Sequence, residues 1–551
     1  MGHSYFISYY FIFIFSIIGY GYCFQNLFLK NKLKENNLGY LGIYGIFSLI
    51  IVSYFSNIFL AHDLIFNSIV ILLGLGLFFS YLTRNYSFEK KNIRFLLIIF
   101  LTLIVAIFAA KNHDDFQYYH FSYIHLLTTS NLSIGIGQFN HGFRTPSSIF
   151  YLASFLYLPK VNYQLIHLAP IFFVGFVNYI FLKETLKNLK KKNNFYLIFF
   201  SIFSLAIINV FFYRLAEHGT DRTAQILILL LIFEILKLIN FKIANEKIDL
   251  SKILILTTII ISLKVFYFIY LILFFVIILY QKKISLFLTS IIYNNVTYIC
   301  LILISMLILT NIFNTGCFFY PMSASCMIDF SWSIPVDQVE RMNQWYQQWS
   351  KAGASPNFRV ENPELYIQNF NWLSNWIDIY FFNKVSDFLF GLIFLTLLLF
   401  FFLEKKTKSK IFERKYRPLF VVLIFLLFEW FFFHPALRYG GYHLIALIIF
   451  LPFSIFFERI VLINDKNIKR VKIFIGIIFV IFFVRNVDRI LNENDIYNYD
   501  LVKYPSYNVE FRNFNIASRI HNIKKCDLGF ECQEDYIKVE KKYIFDVFTK
   551  K

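Results

Sequence analysis

Long apolar runs, broken by short polar and basic stretches, set the rhythm of this chain. The runs lie near 5–29, 40–60, 64–83, 95–110, 164–182, 195–213, 223–241, 253–263, 265–280, 295–312, 381–403, 418–433, 442–457 and 471–486. About 20 apolar residues in a helix cross the hydrocarbon core of a bilayer. The pattern therefore predicts an all-α polytopic membrane protein with about fourteen transmembrane helices. The first run lacks a basic leading segment and a small-residue cleavage pattern, so it is expected to remain as a span. The run Ser147 to Leu158 is short for a span and is expected to form an interfacial or re-entrant helix. The short runs 253–263 and 265–280 are expected to form a broken pair with its tip near Lys264, tolerated at membrane depth where it lines a polar cavity.

The runs divide the chain into N-terminal transmembrane helices (1–94) and a catalytic-type helical bundle with two acidic outer loops (95–312). A Trp-rich outer segment (313–380), C-terminal transmembrane helices (381–486) and an outer C-terminal tail (487–551) follow.

Composition supports this class. Hydrophobic residues make up 58% of the 551 and charged residues 16%, against roughly 45–50% and about 25% in soluble domains. A soluble enzyme, a disordered tail protein and a nucleic-acid-binding domain all fit this composition poorly. The net charge of +19 follows the topology. The loops 30–37, 84–94, 183–194, 242–252, 281–283, 404–417 and 459–472 hold 29 Lys and Arg. The loops between them hold seven: Lys111, Arg144, Lys160, Arg214, Arg222, Lys264 and Arg438. Basic residues collect in cytoplasmic loops, so the second set faces outward and both termini lie outside. Many of the 73 Phe are expected to be lipid-facing filler.

Four of the six cysteines fall in the outward segments, which favours local bridges Cys317–Cys326 and Cys526–Cys532. The scarce ionisable residues gather on the same face. Membrane-embedded charges are costly and mark functional sites. One cluster holds His113, Asp114, Asp115 and His120. Its acidic pair could bind a divalent cation such as Mg or Mn through oxygen ligands, or supply a general base for an acceptor hydroxyl. A second holds Arg214, Glu217, His218, Asp221 and Arg222. His141 and Arg144 precede Pro146, and Arg438 is the single cation of 434–441. An Arg fork or a lysine at a helix break suits a phosphate. Five of the six Trp lie in 313–380, and the pairs Trp345/Trp349 and Trp372/Trp376 each share a helical face. Flat rings of this kind stack on sugars or form an interfacial belt.

With Asp114 and Asp115 in one outward loop and Glu217 and Asp221 in the next, the chain resembles the GT-C superfamily of integral-membrane glycosyltransferases. The resemblance covers roughly residues 95–485. It also resembles uncharacterised bacterial multi-pass membrane proteins associated with surface polysaccharides. One departure is that three further spans precede the first acidic loop. The resemblance implies sugar transfer from a polyprenyl-(pyro)phosphate donor to a cell-envelope glycan, lipid or protein acceptor on the periplasmic face of a bacterial inner membrane. Asp114, Asp115, Glu217 and Asp221 become the catalytic candidates. Arg144, Arg222, Lys264 and Arg438 would hold the donor phosphate. His113, His120, His141, His218, Trp345 and Trp349 would contact sugar or acceptor. A surface-polysaccharide polymerase or ligase would share these substrates, and a transporter or flippase would carry inverted repeats and mid-membrane charges. No repeat is visible, and the charges sit at one face.

Overall fold

A computed structural model describes residues 2–29, 37–109, 115–217, 220–240, 250–280, 284–326, 329–354, 360–405, 416–462, 464–497 and 537–550. The N-terminal helices are α1 (Gly2–Phe28), α2 (Leu38–Asn57) and α3 (Leu64–Leu103). Between the next spans lie the short α4 (Phe121–Thr129) and α5 (Ser148–Ser154). The central bundle comprises α6 (Ala169–Lys191), α7 (Phe195–Ala206), α8 (Asp221–Asn240), α9 (Ser251–Leu263), α10 (Leu273–Leu279), α11 (Ile284–Ile292) and α12 (Asn295–Thr315). A polar helix α13 (Val336–Lys351) leads to the short α14 (Pro363–Ile367) and α15 (Leu373–Trp376). The chain closes with α16 (Ser386–Phe402), α17 (Arg417–Phe433), α18 (Gly441–Ile460) and α19 (Asp465–Tyr497).

Eight helices among the described residues are long and apolar enough to cross a membrane. The protein is thus an integral membrane protein of helical architecture. Its helices bury their small faces. A Cβ on Gly19 of α1 would lie 2.0 Å from the Gly74 carbonyl oxygen of α3. Only a glycine lets the two backbones approach so closely. Further along, Tyr10 donates its hydroxyl to the Phe100 carbonyl, tying the second half of α3 to the same helix.

The bundle has two chemically distinct ends. At one, the basic segments meet: Lys192 pairs with Asp465 at 3.1 Å, Lys466 pairs with Glu404, and Asn467 donates to the Glu404 carbonyl. At the other, Lys160 reaches Tyr5 of α1 at 3.0 Å, and Arg438 meets Asp221 at 3.0 Å. This sorting is the one that loop charge anticipates. Labelling from outside intact cells should therefore leave a cysteine at Asn193 unmodified and modify one at Glu340. The opposite pattern would reverse the orientation.

Three expectations are corrected. The basic stretch 84–94 carries helical backbone, although it still divides two candidate spans, Leu64–Arg84 and Lys90–Phe108. It lies within the 40-residue α3, so a boundary at residue 94 falls inside a helix. Of the two forms expected for the segment after Ser147, interfacial or re-entrant, the surface-lying interfacial one is not seen. Every residue of α5 is buried, packed among α2, α4, α6 and α9. The C-terminal region also carries strands: β2 (Ile537–Lys542) and β3 (Phe545–Lys550) form a hairpin. Strand β3 pairs in parallel with β1 (Ser133–Ile134), giving the order β1-β3-β2. Phe548 packs edge-on against Phe139, so the C-terminal hairpin braces the loop that leads to His141 and Arg144.

The broken pair is present. After α9 the backbone of Lys264 turns extended, and a 3-10 segment over Val265–Ile272 precedes α10. Ending a helix leaves its last carbonyls without intrahelical donors. The Ser147 hydroxyl donates to one of them, Leu263, at 2.7 Å. α9 and α12 start side by side, where Asn294 donates to Ser251 at 3.1 Å. With 13 and 21 residues at about 1.5 Å each, α9 stops short of α12 and leaves Lys264 in a recess.

Candidate functional site

That recess is the floor of a cavity of about 760 Å³. Sequence-distant loops build its walls. Asp115, Tyr118 and Tyr119 come from the first loop, Glu217, Asp221 and Arg222 from the second, and Lys264 from the helix break. Trp345, Tyr346 and Trp349 of α13 face them, beside His434 and Arg438. Phe319 to Met322 close another side, within the loop that the Cys317–Cys326 disulfide ties off.

Electrostatics organise this space. Asp221 bridges two cations: Oδ1 lies 2.9 Å from Lys264 Nζ, and Oδ2 lies 3.0 Å from Arg438 Nε. Arg438 Nη2 reaches Asp115 Oδ2 at 3.2 Å, so one guanidinium joins both acidic loops. The Arg438 guanidinium also sits 5.4 Å from the Trp349 ring centre, a cation–π arrangement. Arg222 lies over Phe212 at 5.8 Å and has no ion-pair partner among the described residues.

The fold holds Arg438 firmly. Trp376 Nε1 donates to the Pro435 carbonyl and Trp430 Nε1 to that of Ala436, each at 2.9 Å. The Leu437 amide donates to Tyr380 Oη at 2.8 Å, and Gln225 Nε2 donates to the Arg438 carbonyl at 2.7 Å. Gly440 then adopts φ +141°, a conformation that side chains disfavour. The second Trp pair, Trp372 and Trp376, is thereby a buried support and not a sugar platform.

The other candidates divide. His141 lines the cavity, with its ring 5.6 Å from that of Trp345. Burial, followed by the charge of Arg144, lowers its pKa and outweighs the pull of Asp115, so its neutral form is favoured. His434 is pushed down to about 4 by burial and by Lys351, and is neutral at pH 7. Arg144 does not line the cavity. Its Nε donates to the Gly137 carbonyl at 2.9 Å and its Nη1 reaches Tyr320 at 3.4 Å, so it stands behind the Tyr320 wall. His120 is also removed from the cavity, 3% exposed and packed at 5.0 Å against the Phe150 ring. His113, Asp114, His218, Cys526 and Cys532 lie outside the described residues.

Glu217 lines the cavity but is engaged elsewhere. It pairs with Arg214 and, at 3.0 Å, with Arg489 of α19. Sequence reasoning missed Arg489 because it lies past the apolar run 471–486. The charges Arg485, Arg489 and Glu493, four apart, were the signal that the helix continues. Removing one partner of a nearly buried ion pair strands the other. Glu217→Gln is therefore expected to lower stability by about 3 kcal/mol, read as a thermal-shift loss in detergent, and Arg489→Ala to do the same.

Among the described residues no group of three His, Cys, Asp or Glu side chains converges on a metal position. Asp115 and Asp221 are both turned to cations. Asp114, the other half of the acidic pair expected to hold a divalent ion, lies outside the described residues, and no chemistry is routed through an ion.

No curated protein and no solved structure matches this chain. A family model described as a domain of unknown function, DUF8201, matches residues 4–445 and so takes in every cavity-lining residue. By that match over most of its length, the chain belongs to the DUF8201 family.

Proposed function

We propose that this protein is a GT-C-type membrane glycosyltransferase that moves a sugar from a polyprenyl-phosphate donor to an acceptor hydroxyl. One observation carries the reading. A single cavity at the end of the bundle opposite the basic loops joins carboxylates, cations and indole rings from segments far apart in sequence. In this reading about fourteen helices cross the membrane. The eight long apolar helices are joined by Phe195–Phe211, Ser251–Leu263, Val265–Leu279, α8, α17 and the apolar part of α19. By the positive-inside rule the cavity faces outward, which in a bacterium is the periplasmic side of the inner membrane.

The chemistry then follows from the residues. The acceptor hydroxyl attacks the anomeric carbon as the bond from that carbon to the donor phosphate oxygen breaks. Asp115, the more exposed carboxylate of the bridged pair, takes the hydroxyl proton. Lys264, Arg222 and Arg438 stabilise the negative charge that develops on the departing polyprenyl phosphate. Trp345 and Trp349 offer ring faces to the sugar. A single displacement inverts the anomeric configuration.

A polymerase or ligase with an Arg-rich outer loop has less support. Arg341, on α13, is exposed and paired with Asp337 at 2.6 Å. The test is a structure of the protein with decaprenyl phosphate in nanodiscs. The headgroup should lie within hydrogen-bond reach of Lys264, Arg222 or Arg438. A headgroup bound only at the opposite, basic end would overturn the reading.

A further inference from the structure

Asp221 occupies a position built for an anion. Its two carboxylate oxygens accept from Lys264 at 2.9 Å and from Arg438 at 3.0 Å, and Thr220 Oγ1 lies 3.5 Å from Oδ1. It is also the first residue of the 20-residue α8. The N-terminus of a helix carries a partial positive charge and unpaired amides that favour anions. Arg222, next in the chain, adds a cation with no ion-pair partner among the described residues. Lysine, an arginine fork, a hydroxyl and a helix N-terminus are the elements that hold a phosphate group. Here a carboxylate of the chain itself fills the place.

We infer that Asp221 is an internal stand-in for the donor phosphate, which occupies the anion position in the resting site and is displaced when the donor binds. The inference rests on the reading of the cavity as a phosphate-donor site and assigns Asp221 a role other than base or direct donor contact. In the resting site Asp221 compensates Lys264 and Arg438, sparing them uncompensated charge in a partly buried recess. When a phosphate arrives, its oxygens take over the same two cations. The Asp221 carboxylate then moves off them into the cavity that it lines. No covalent bond changes in this step. The displacement makes binding weaker than the cations alone would allow, and favours release of the polyprenyl phosphate product once the sugar has left.

The prediction is counter-intuitive for an acidic residue in an active site: removing its charge should tighten anion binding. Wild-type protein, Asp221→Asn and Lys264→Met are titrated in nanodiscs with decaprenyl phosphate, and separately with inorganic phosphate. Asp221→Asn is expected to bind decaprenyl phosphate roughly tenfold more tightly than wild type, about what one freed, partly buried charge contact supplies. Lys264→Met should bind it more weakly. A gain confined to decaprenyl phosphate assigns the position to a lipid headgroup, and an equal gain with inorganic phosphate assigns it to a phosphate of either source. If Asp221→Asn does not purify as a monodisperse species, Asp221→Ser removes the same charge and reads the same quantity. If wild type binds and neither Asp221 variant binds more tightly, the stand-in role is overturned while the donor reading stands. If no protein binds any phosphate, the donor reading falls, and the stand-in role with it.

Discussion

Asp115→Asn is expected to lower sugar transfer roughly 10²–10⁴-fold, the usual loss when a general base is removed. The fold should survive the change. The Asn side chain has the same shape, and its carbonyl oxygen can still accept from Arg438 Nη2, which now stands 3.2 Å from Asp115 Oδ2. What disappears is the capacity to take a proton from the acceptor hydroxyl. Donor binding should not weaken, because Lys264 and Arg222 keep their charges and Arg438 keeps its supports. The signature is a collapse in kcat with a donor KM no higher than that of wild type, measured alongside protein yield. A variant that transfers sugar at the wild-type rate and expresses normally would remove Asp115 from the chemistry.

The second large effect is expected at Arg438. Replacing it with Gln deprives Asp115 and Asp221 of their shared cation and, in the proposed mechanism, takes one charge-assisted contact from the donor phosphate. Such contacts contribute about 1.5–3 kcal/mol, so donor use should weaken by roughly 10- to 150-fold. Folding should lose only about 1–2 kcal/mol, because Asp221 keeps its pair with Lys264 and solvent screens Asp115, which is 30% exposed. Arg438→Lys keeps the charge but has no planar fork to join two carboxylates. It should therefore recover stability more fully than donor use. Equal recovery of both would assign Arg438 a purely structural role.

The helical class and the two-ended charge distribution were legible because hydropathy and basic loops report directly on the bilayer. The acidic loops were legible because ionisable residues are scarce at the cavity end, and Asp115, Asp221, Lys264 and Arg438 do converge. Other features depend on information that hydropathy does not carry. Residues 84–94 are polar enough to read as a loop, but they contain neither Gly nor Pro, and the backbone stays helical through them. Arg144 and His120 share the loop of the acidic cluster, yet the turn at Gly137 and the packing of Phe150 aim them away from the cavity. Tertiary context of that kind has no local signature. The C-terminal hairpin was readable in principle: Ile537 and Val539 alternate with exposed residues at the two-residue period of a half-buried strand. The brace it forms on β1 was not, because it joins segments about 400 residues apart.

Addition of a sugar by this cavity has a readout in whole cells. It is tested most directly by mass spectrometry of surface glycans from cells lacking the gene, complemented with wild type or with Asp115→Asn at equal protein levels. Deletion should remove one glycosidic residue from an otherwise intact glycan, wild type should restore it and Asp115→Asn should not. Glycans unchanged by deletion, or shortened in repeat number with every linkage present, would contradict it.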